Sequence, residues 1–246
     1  MRNNTLLLID ADSIIYNTLL HCQKEIQWEE DIYSLSIDLG EARDEFLERL
    51  YGLLIQVCHS SYVLCLTDQA NFRHTIDPTY KGNRKDTRKP MGYSVFRKWV
   101  MEHYPFNMKP NLEADDVIGI LATHPNIENP IIWSPDKDLM QIDGKHLVDG
   151  KIIEVTKEQG DYFHMFQTLT GDVADGYKGC PSVGAVSAAK LLDCPSEQWW
   201  TVVTKAYIKA GLTEQDALQQ ARLAKILQYE LWDSAQQEVI LWEPMK

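Results

Sequence analysis

The sequence predicts an α/β fold: a mostly parallel central sheet flanked by helices, followed by a helical C-terminal region. Three observations predict it. Short unbroken apolar runs, Leu6–Ile9, Tyr62–Leu66 and Ile131–Trp133, read as strands buried on both faces. Stretches with helical spacing separate these runs, as crossover connections between parallel strands require. Beyond about residue 160, helical signals dominate.

Taken in order, the first run ends at Asp10. Residues 21–45 are acidic and read as an irregular insertion with no evident chemistry. Within Glu41–His59, the residues Phe46, Leu47, Leu50, Leu53, Leu54 and Val57 form one apolar helix face. The second run ends at Asp68. In the amphipathic stretch LEADDVIGILA, the residues Val117, Ile118, Ile120 and Leu121 hold a helix on the sheet. The third run opens into IIWSPDKD. His146–Val148 and Ile152–Val155, around Asp149-Gly150, read as a hairpin or sheet edge. Gly179 and Gly184 bracket a turn before a small-residue helix, Ala185–Leu192. Thr213 to Asp216 is a capping box that opens a long helix. Val239–Trp242 packs back on the core.

At 246 residues the chain is one large domain or two small ones. The N-terminal MRNNTLLLIDADS has no long apolar region, which argues against a signal peptide or a membrane span. Five cysteines (Cys22, Cys58, Cys65, Cys180, Cys194), without a CxxC pair, argue against a zinc or disulfide framework and suit a reducing cytoplasm. The net charge of −12 is unevenly spread: Arg73 to Lys98 holds eight Lys/Arg against two acids. A local patch of this kind, rather than the average, attracts phosphate.

The carboxylates carry the chemistry. Asp10, Asp68 and Asp136 each follow a strand-like run, so parallel strands place them at one sheet edge, where open sheets hold their sites. Asp136 and Asp138 are two apart, and an extended segment would project both to one side. Glu113 and Asp116 share a helix face, with Asp115 adjacent. Asp172 and Asp175 stand in GDVADGYKG. Gathered bare, these nine groups repel, so the fold must supply cations. An all-oxygen set favours Mg²⁺, with Mn²⁺ as a substitute. Two such ions about 4 Å apart suit phosphodiester hydrolysis. No Ser–His–Asp or Cys–His relay is visible.

The basic segment interleaves cations with aromatic rings. Lys81, Arg84 and their neighbours Arg73, Lys85, Arg88 and Lys89 are placed to grip phosphates, and Tyr80 or Tyr93 to stack on an unpaired base. Backbone amides near Gly179, Ser182 and Gly184 would hold a phosphate without reading sequence.

In this order, LLIDAD, TYKGNR, EADDVIG, SPDKDL and GDVADGYKG…VGAVSAAKLL resemble the flap-endonuclease/5′→3′ exonuclease superfamily. NFRHTIDPTYKGNRK, HMFQTLTGDVADGY and AGLTEQDALQQARLAKIL…VILWEP are most similar to the short exonucleases of lytic tailed phages. The resemblance covers most of the chain except roughly residues 21–45 and 193–205. It implies a PIN-like nuclease core over residues 1–160, with a basic arch segment at 72–105. Residues 161–246 would form a helical duplex-binding region with a helix–three-turn–helix motif. It implies that Asp68, Glu113 and Asp115 serve one Mg²⁺, with Asp10 acting through water. Asp116, Asp136, Asp138, Asp172 and Asp175 would serve a second ion or its outer shell, with Asp136 and Asp138 counted among the catalytic groups. Lys81 and Arg84 would touch the reacting phosphate. A monovalent cation would sit at the glycine turn, where Ser182 replaces the family's usual glycine. The implied substrate is duplex DNA with a 5′ end, nick or flap, and RNA–DNA hybrid as well. The short arch argues against threading long flaps. The expected state is a monomer in the host cytoplasm, with no membrane partner. Two competing readings are a structure-specific binding protein without chemistry and a PIN-type ribonuclease acting on single-stranded RNA.

Overall fold

The computed structural model describes residues 5–58, 61–84 and 87–244. Strand β1 (Leu6–Asp10) runs into helix α1 (Ala11–Cys22), and strands β2 (Lys24–Glu29) and β3 (Ile32–Ser36) follow. Helix α2 (Leu39–Gln56) leads to β4 (Tyr62–Cys65), the single turn α3 (Arg73–Ile76), α4 (Tyr93–His103) and β5 (Phe106–Asn107). Helix α5 (Ala114–Ala122) precedes β6 (Pro130–Trp133), β7 (Gly144–Val148) and β8 (Lys151–Val155). The rest is helical: α6 (Lys157–Thr170), α7 (Ala185–Leu191), α8 (Trp199–Lys209) and α9 (Glu214–Ala224), with a small closing pair, β9 (Trp232–Asp233) and β10 (Glu238–Val239).

The main sheet has the order β5-β4-β1-β6-β7-β8. Strand β1 lies between β4 and β6, parallel to both. The expected common edge therefore exists. Strand β5 extends the sheet in parallel beyond β4, and β7 does so beyond β6. Antiparallel β8 closes one side.

Leu7, Leu8 and Ile9 are wholly buried because both faces of β1 are covered. Leu7 and Ile9 pack with Ile14, Ile15, Phe46, Leu50 and Phe96 from α1, α2 and α4. Leu8 points the other way, into Val117, Ile118, Ile226 and Leu227. A third cluster, with Leu169, Val203, Tyr207 and Ala217, unites α6, α8 and α9.

The segment after α9 returns to the core. The buried Gln141 amide donates to Gln167 Oε1 (2.7 Å) and to the Ala224 carbonyl (2.6 Å), and it accepts from Ile226 N (3.2 Å). Gly119 leaves room for this return, since a Cβ there would stand 2.2 Å from the Leu227 carbonyl oxygen. Gly119→Ala is expected to lower stability by about 1–3 kcal/mol, read as an earlier urea midpoint with unchanged slope.

The insertion at 21–45 is corrected. It is an ordered hairpin, β2–β3, followed by the start of α2, which Asp38 caps by accepting from Gly40 N (2.7 Å). Every residue of β2 is exposed, so no apolar alternation marks it in the sequence. Asp31, in the left-handed region (φ 64°), makes the turn. The Thr213 box is present: Asp216 N donates to Thr213 Oγ1 (3.2 Å), and Thr213 N donates back to Asp216 Oδ2 (2.7 Å). The helix it opens has 11 residues and ends at the return segment. Val239 pairs with Trp232, and the Trp242 ring lies 4.9 Å from that of His164. All five cysteines are free. Among the described residues, no helix is long and apolar enough to cross a membrane.

Candidate active site at the carboxyl edge of the sheet

Asp10 closes β1 and caps α1, accepting from Ser13 N (3.1 Å) and Ser13 Oγ (2.6 Å). It also accepts from Ser134 Oγ (2.8 Å), just past β6. Ser134 accepts in turn from Asp136 N (3.0 Å), so one hydroxyl pins two strand ends together. Asp10 is 4% exposed, and burial, helped by the charge of Asp12, raises its pKa despite these hydrogen bonds.

Asp136 and Asp138 do not lie on an extended strand, and that expectation is corrected. Asp136 caps a 3-10 turn, Lys137–Gln141, and its Oδ1 accepts from Asp138 N (2.9 Å). A side chain bonded to its own backbone two residues on defeats extension. Asp138 Oδ1 is buried and has no hydrogen-bond partner. Desolvation and the charges of Asp136, Asp172 and Asp175 push its carboxyl up to about 6. Asp115, in the first turn of α5, is raised well above the carboxylate range by desolvation and by Asp10 and Asp136. These mutual effects place Asp10, Asp115, Asp136, Asp138, Asp172 and Asp175 in one electrostatic neighbourhood. Asp172 holds its own loop, accepting from Ala174 N (2.7 Å) and Asp175 N (3.2 Å).

Opposite stands a cationic bank. Lys81 Nζ donates to Glu113 Oε1 and lies 3.5 Å from Asp175 Oδ2. Its own amide donates to the Asp175 carbonyl (2.8 Å). Arg84 donates to Asp175 Oδ1 (2.7 Å) and to the Ala174 carbonyl (3.0 Å). Burial alone would raise the Glu113 carboxyl, but the charges of Lys81 and Arg73 outweigh it and hold Glu113 at about 2.

Three expectations change here. Arg73 is 3% exposed and so presents no free surface to DNA. It forks onto Asp116 (2.6 and 2.9 Å), reaches Glu113 (3.2 Å), and donates to the carbonyls of Leu223 (3.0 Å) and Lys225 (2.6 Å). Asp116 is wholly buried, and it also accepts from Leu227 N (3.0 Å) and Glu113 N (3.3 Å). With both oxygens committed, it ties α5 to α3 and the return segment instead of facing an ion. Tyr80 is 3% exposed and donates its hydroxyl toward Glu113 (3.0 Å) and Asp175 (2.9 Å), so its ring is no stacking platform.

The remaining candidates are more scattered. Asp68 lies beyond β4 and accepts from Asn111 N (2.8 Å). Arg88 and Lys89 are exposed, and Lys89 Nζ sits 4.6 Å from the centre of the Tyr93 ring. Lys85 lies outside the described residues. Gly179 is corrected as a free phosphate donor: it is buried, and its amide donates to Gln220 Oε1 (2.9 Å). A Cβ on Gly179 would come within 2.3 Å of Gly171 N, and its φ is +66°. Ser182, also left-handed (φ 62°), and Gly184 are exposed. Sequence reading passed over Ser134, Thr67 and Asp12. Only Ser13, three residues past Asp10, carries a local capping signal.

Among the described residues, no three Asp, Glu, His or Cys side chains stand close enough together to hold one ion. Lys81 and Arg84 at present neutralise Glu113 and Asp175. The donor set nonetheless fits a hard cation that keeps its own waters, because Asp138 has an unpartnered buried oxygen and Asp10 and Asp115 are buried carboxyls that disfavour each other's charge.

Residues 5–166 match the family model for the 5′-3′ exonuclease N-terminal resolvase-like domain. The exodeoxyribonuclease of Enterobacteria phage T3 is 30% identical over 280 aligned positions, which cover 97% of this chain and 93% of the relative. The exonuclease of Escherichia phage T7 is 28% identical with the same coverage. The D15 protein of bacteriophage T5, crystallised with metal ions, superposes with a TM-score of 0.62 at 13% identity, over 90% of this chain and 89% of that one. A nuclease-like carboxylate edge and a family match over some two-thirds of the chain lead to one conclusion: this protein belongs to the 5′-3′ exonuclease family.

Proposed function

We propose that the protein hydrolyses phosphodiester bonds of DNA from 5′ ends, as a 5′→3′ exonuclease with flap-endonuclease activity, through divalent ions held at the carboxyl edge of the sheet. The observation that carries this reading is the buried, unpartnered Asp138 oxygen among the like charges of Asp136, Asp172 and Asp175, the last of which is paired with Lys81 and Arg84. Mg²⁺ is the expected ion, Mn²⁺ its substitute, and two ions the expected number. Asp10, Asp115, Asp136, Asp138, Asp172 and Asp175 would hold them, with Glu113 joining once Lys81 turns away. Bound there, the ions would supply an activated water and neutralise charge on the phosphate.

The chain's own groups do the rest. Lys81 exchanges Glu113 for the scissile phosphate, and Arg84 adds a second cation on the same side. Ser134 keeps Asp10 and the Asp136 turn in register. Helices beyond residue 160, with the exposed Ser182–Gly184 turn, would receive the duplex, and a monovalent cation is proposed at that turn. Nicks, flaps and RNA–DNA hybrids are the proposed further substrates. The products would be 5′-phosphorylated mono- or short oligonucleotides, and the setting a monomer in the host cytoplasm.

The test is release of label from 5′-labelled duplex in Mg²⁺ and in EDTA, beside single-stranded RNA. Metal-dependent short 5′ products from duplex are expected. Their absence, or faster cleavage of the RNA, would overturn the reading.

Metal binding should also depend on pH. Desolvation and neighbouring carboxylates push Asp138 up to about 6 and raise Asp10 and Asp115 as well, so at acidic pH an ion must displace protons from these ligands. The rise in Tm on adding Mg²⁺, relative to EDTA at the same pH, should therefore grow between about pH 5 and 7. Referring each value to EDTA cancels groups away from the site, such as His164, whose burial lowers its pKa. A flat increment would remove Asp138 from the ligand set.

A further inference from the structure

Asp12 follows Asp10 by two residues, yet it does not cap its helix. Its Oδ2 accepts from the backbone amide of Thr67 (2.8 Å), just beyond β4. Its Oδ1 accepts from the Tyr93 hydroxyl (3.1 Å), at the first residue of α4, and lies 3.6 Å from Arg97 Nε, one turn later. The Arg97 guanidinium also donates to the Thr67 carbonyl. Thr67 completes the link through its hydroxyl, which accepts from Ala114 N (3.0 Å), between Glu113 and Asp115. One carboxylate thus joins the base of α4 to the strand end and helix start that carry the site. Helix α4 is where the basic segment re-enters the fold, and Lys89 rests on the Tyr93 ring at 4.6 Å. The other root of that segment is fixed separately, by Arg73 on Asp116 and by Arg84 on Asp175.

We infer that Asp12 is a positioning residue: with Tyr93 and Arg97 it locks α4 to the sheet edge and so sets where Arg88 and Lys89 meet the phosphates of a DNA strand entering the site. Asp12 itself touches no substrate. The inference rests on the DNA-cleaving reading for its consequence, but the lock is a property of the protein alone.

Asp12→Asn and Tyr93→Phe are the variants, the second removing one hydroxyl while keeping the ring beneath Lys89. On 5′-labelled duplex in Mg²⁺, KM should rise about tenfold with kcat within about twofold, the pattern of lost uniform binding. The slope of log KM against log salt should shrink by about one to two, as when one or two phosphate contacts go. Arg88→Ala/Lys89→Ala should weaken binding about tenfold in the parent and add little in the Asp12→Asn background. Hydrogen exchange of the α4 amides, measured without DNA, should quicken about tenfold in both variants. Unchanged α4 exchange in Tyr93→Phe, or full additivity with the Arg88/Lys89 pair, would overturn the inference. A fall in kcat at constant KM would do the same, since that marks a smaller folded fraction. Should the parent not cleave DNA, the functional reading fails while hydrogen exchange still decides whether the lock exists.

Discussion

Asp138→Asn is expected to slow 5′-end release on the order of a thousandfold while making the metal-free protein more stable. The two signs come from one cause. In the absence of ions, Asp138 carries a buried oxygen with no partner, close to the charges of Asp136, Asp172 and Asp175. An amide keeps the shape and removes the like-charge repulsion. The gain should be about 1–2 kcal/mol, a shift of a few degrees in Tm for a chain of this size. Mg²⁺ should then raise the Tm of the variant less than that of the parent. Calorimetry in EDTA and in Mg²⁺, beside the cleavage assay, measures both effects. A variant that is inactive and also less stable in EDTA would mean that Asp138 serves the fold.

The second large effect concerns Arg73. Arg73→Met should cost about 3–5 kcal/mol, because it strands Asp116 as an unpaired charge with no solvent exposure. It also frees the Leu223 and Lys225 carbonyls from their donors. Urea unfolding at neutral pH measures the loss. Adding Asp116→Leu should return part of it, since an apolar pair avoids the stranded charge even though the carbonyls stay unpaired. Equal stability of Arg73→Met and the parent would show that the pair contributes nothing net.

Much of this was legible in the residues. The three apolar runs became adjacent parallel strands, because a strand covered on both faces needs no alternation to announce itself. At their common edge Ser134 joins Asp10 to the Asp136 turn. Sequence spacing could not tell Asp115 from Asp116: neighbours on a helix diverge by about 100°, which sends one toward the other carboxylates and the other onto Arg73. Arg73 and Tyr80 misled for a related reason. They sit in a run of cations that reads as solvated surface, yet residues 223–227, some 150 residues later, cover Arg73, and Leu223, Ala224 and Tyr177 cover Tyr80. The β2–β3 hairpin escaped because it is exposed on both faces. The lock around Asp12 is wholly tertiary, with partners 55 and 81 residues away.

The closure of Arg73, Asp116 and Gln141 onto residues 223–227 has a consequence for biosynthesis. Glu113 and Asp116 are encoded well before the clasp that seats them, which lies 111 residues beyond Asp116. A growing chain on the ribosome therefore carries an unfinished centre until residues 223–227 emerge, and contacts this distant in sequence form slowly. An enzyme assembled in this order gains its finished centre only after residues 223–227 have joined Arg73 and Asp116.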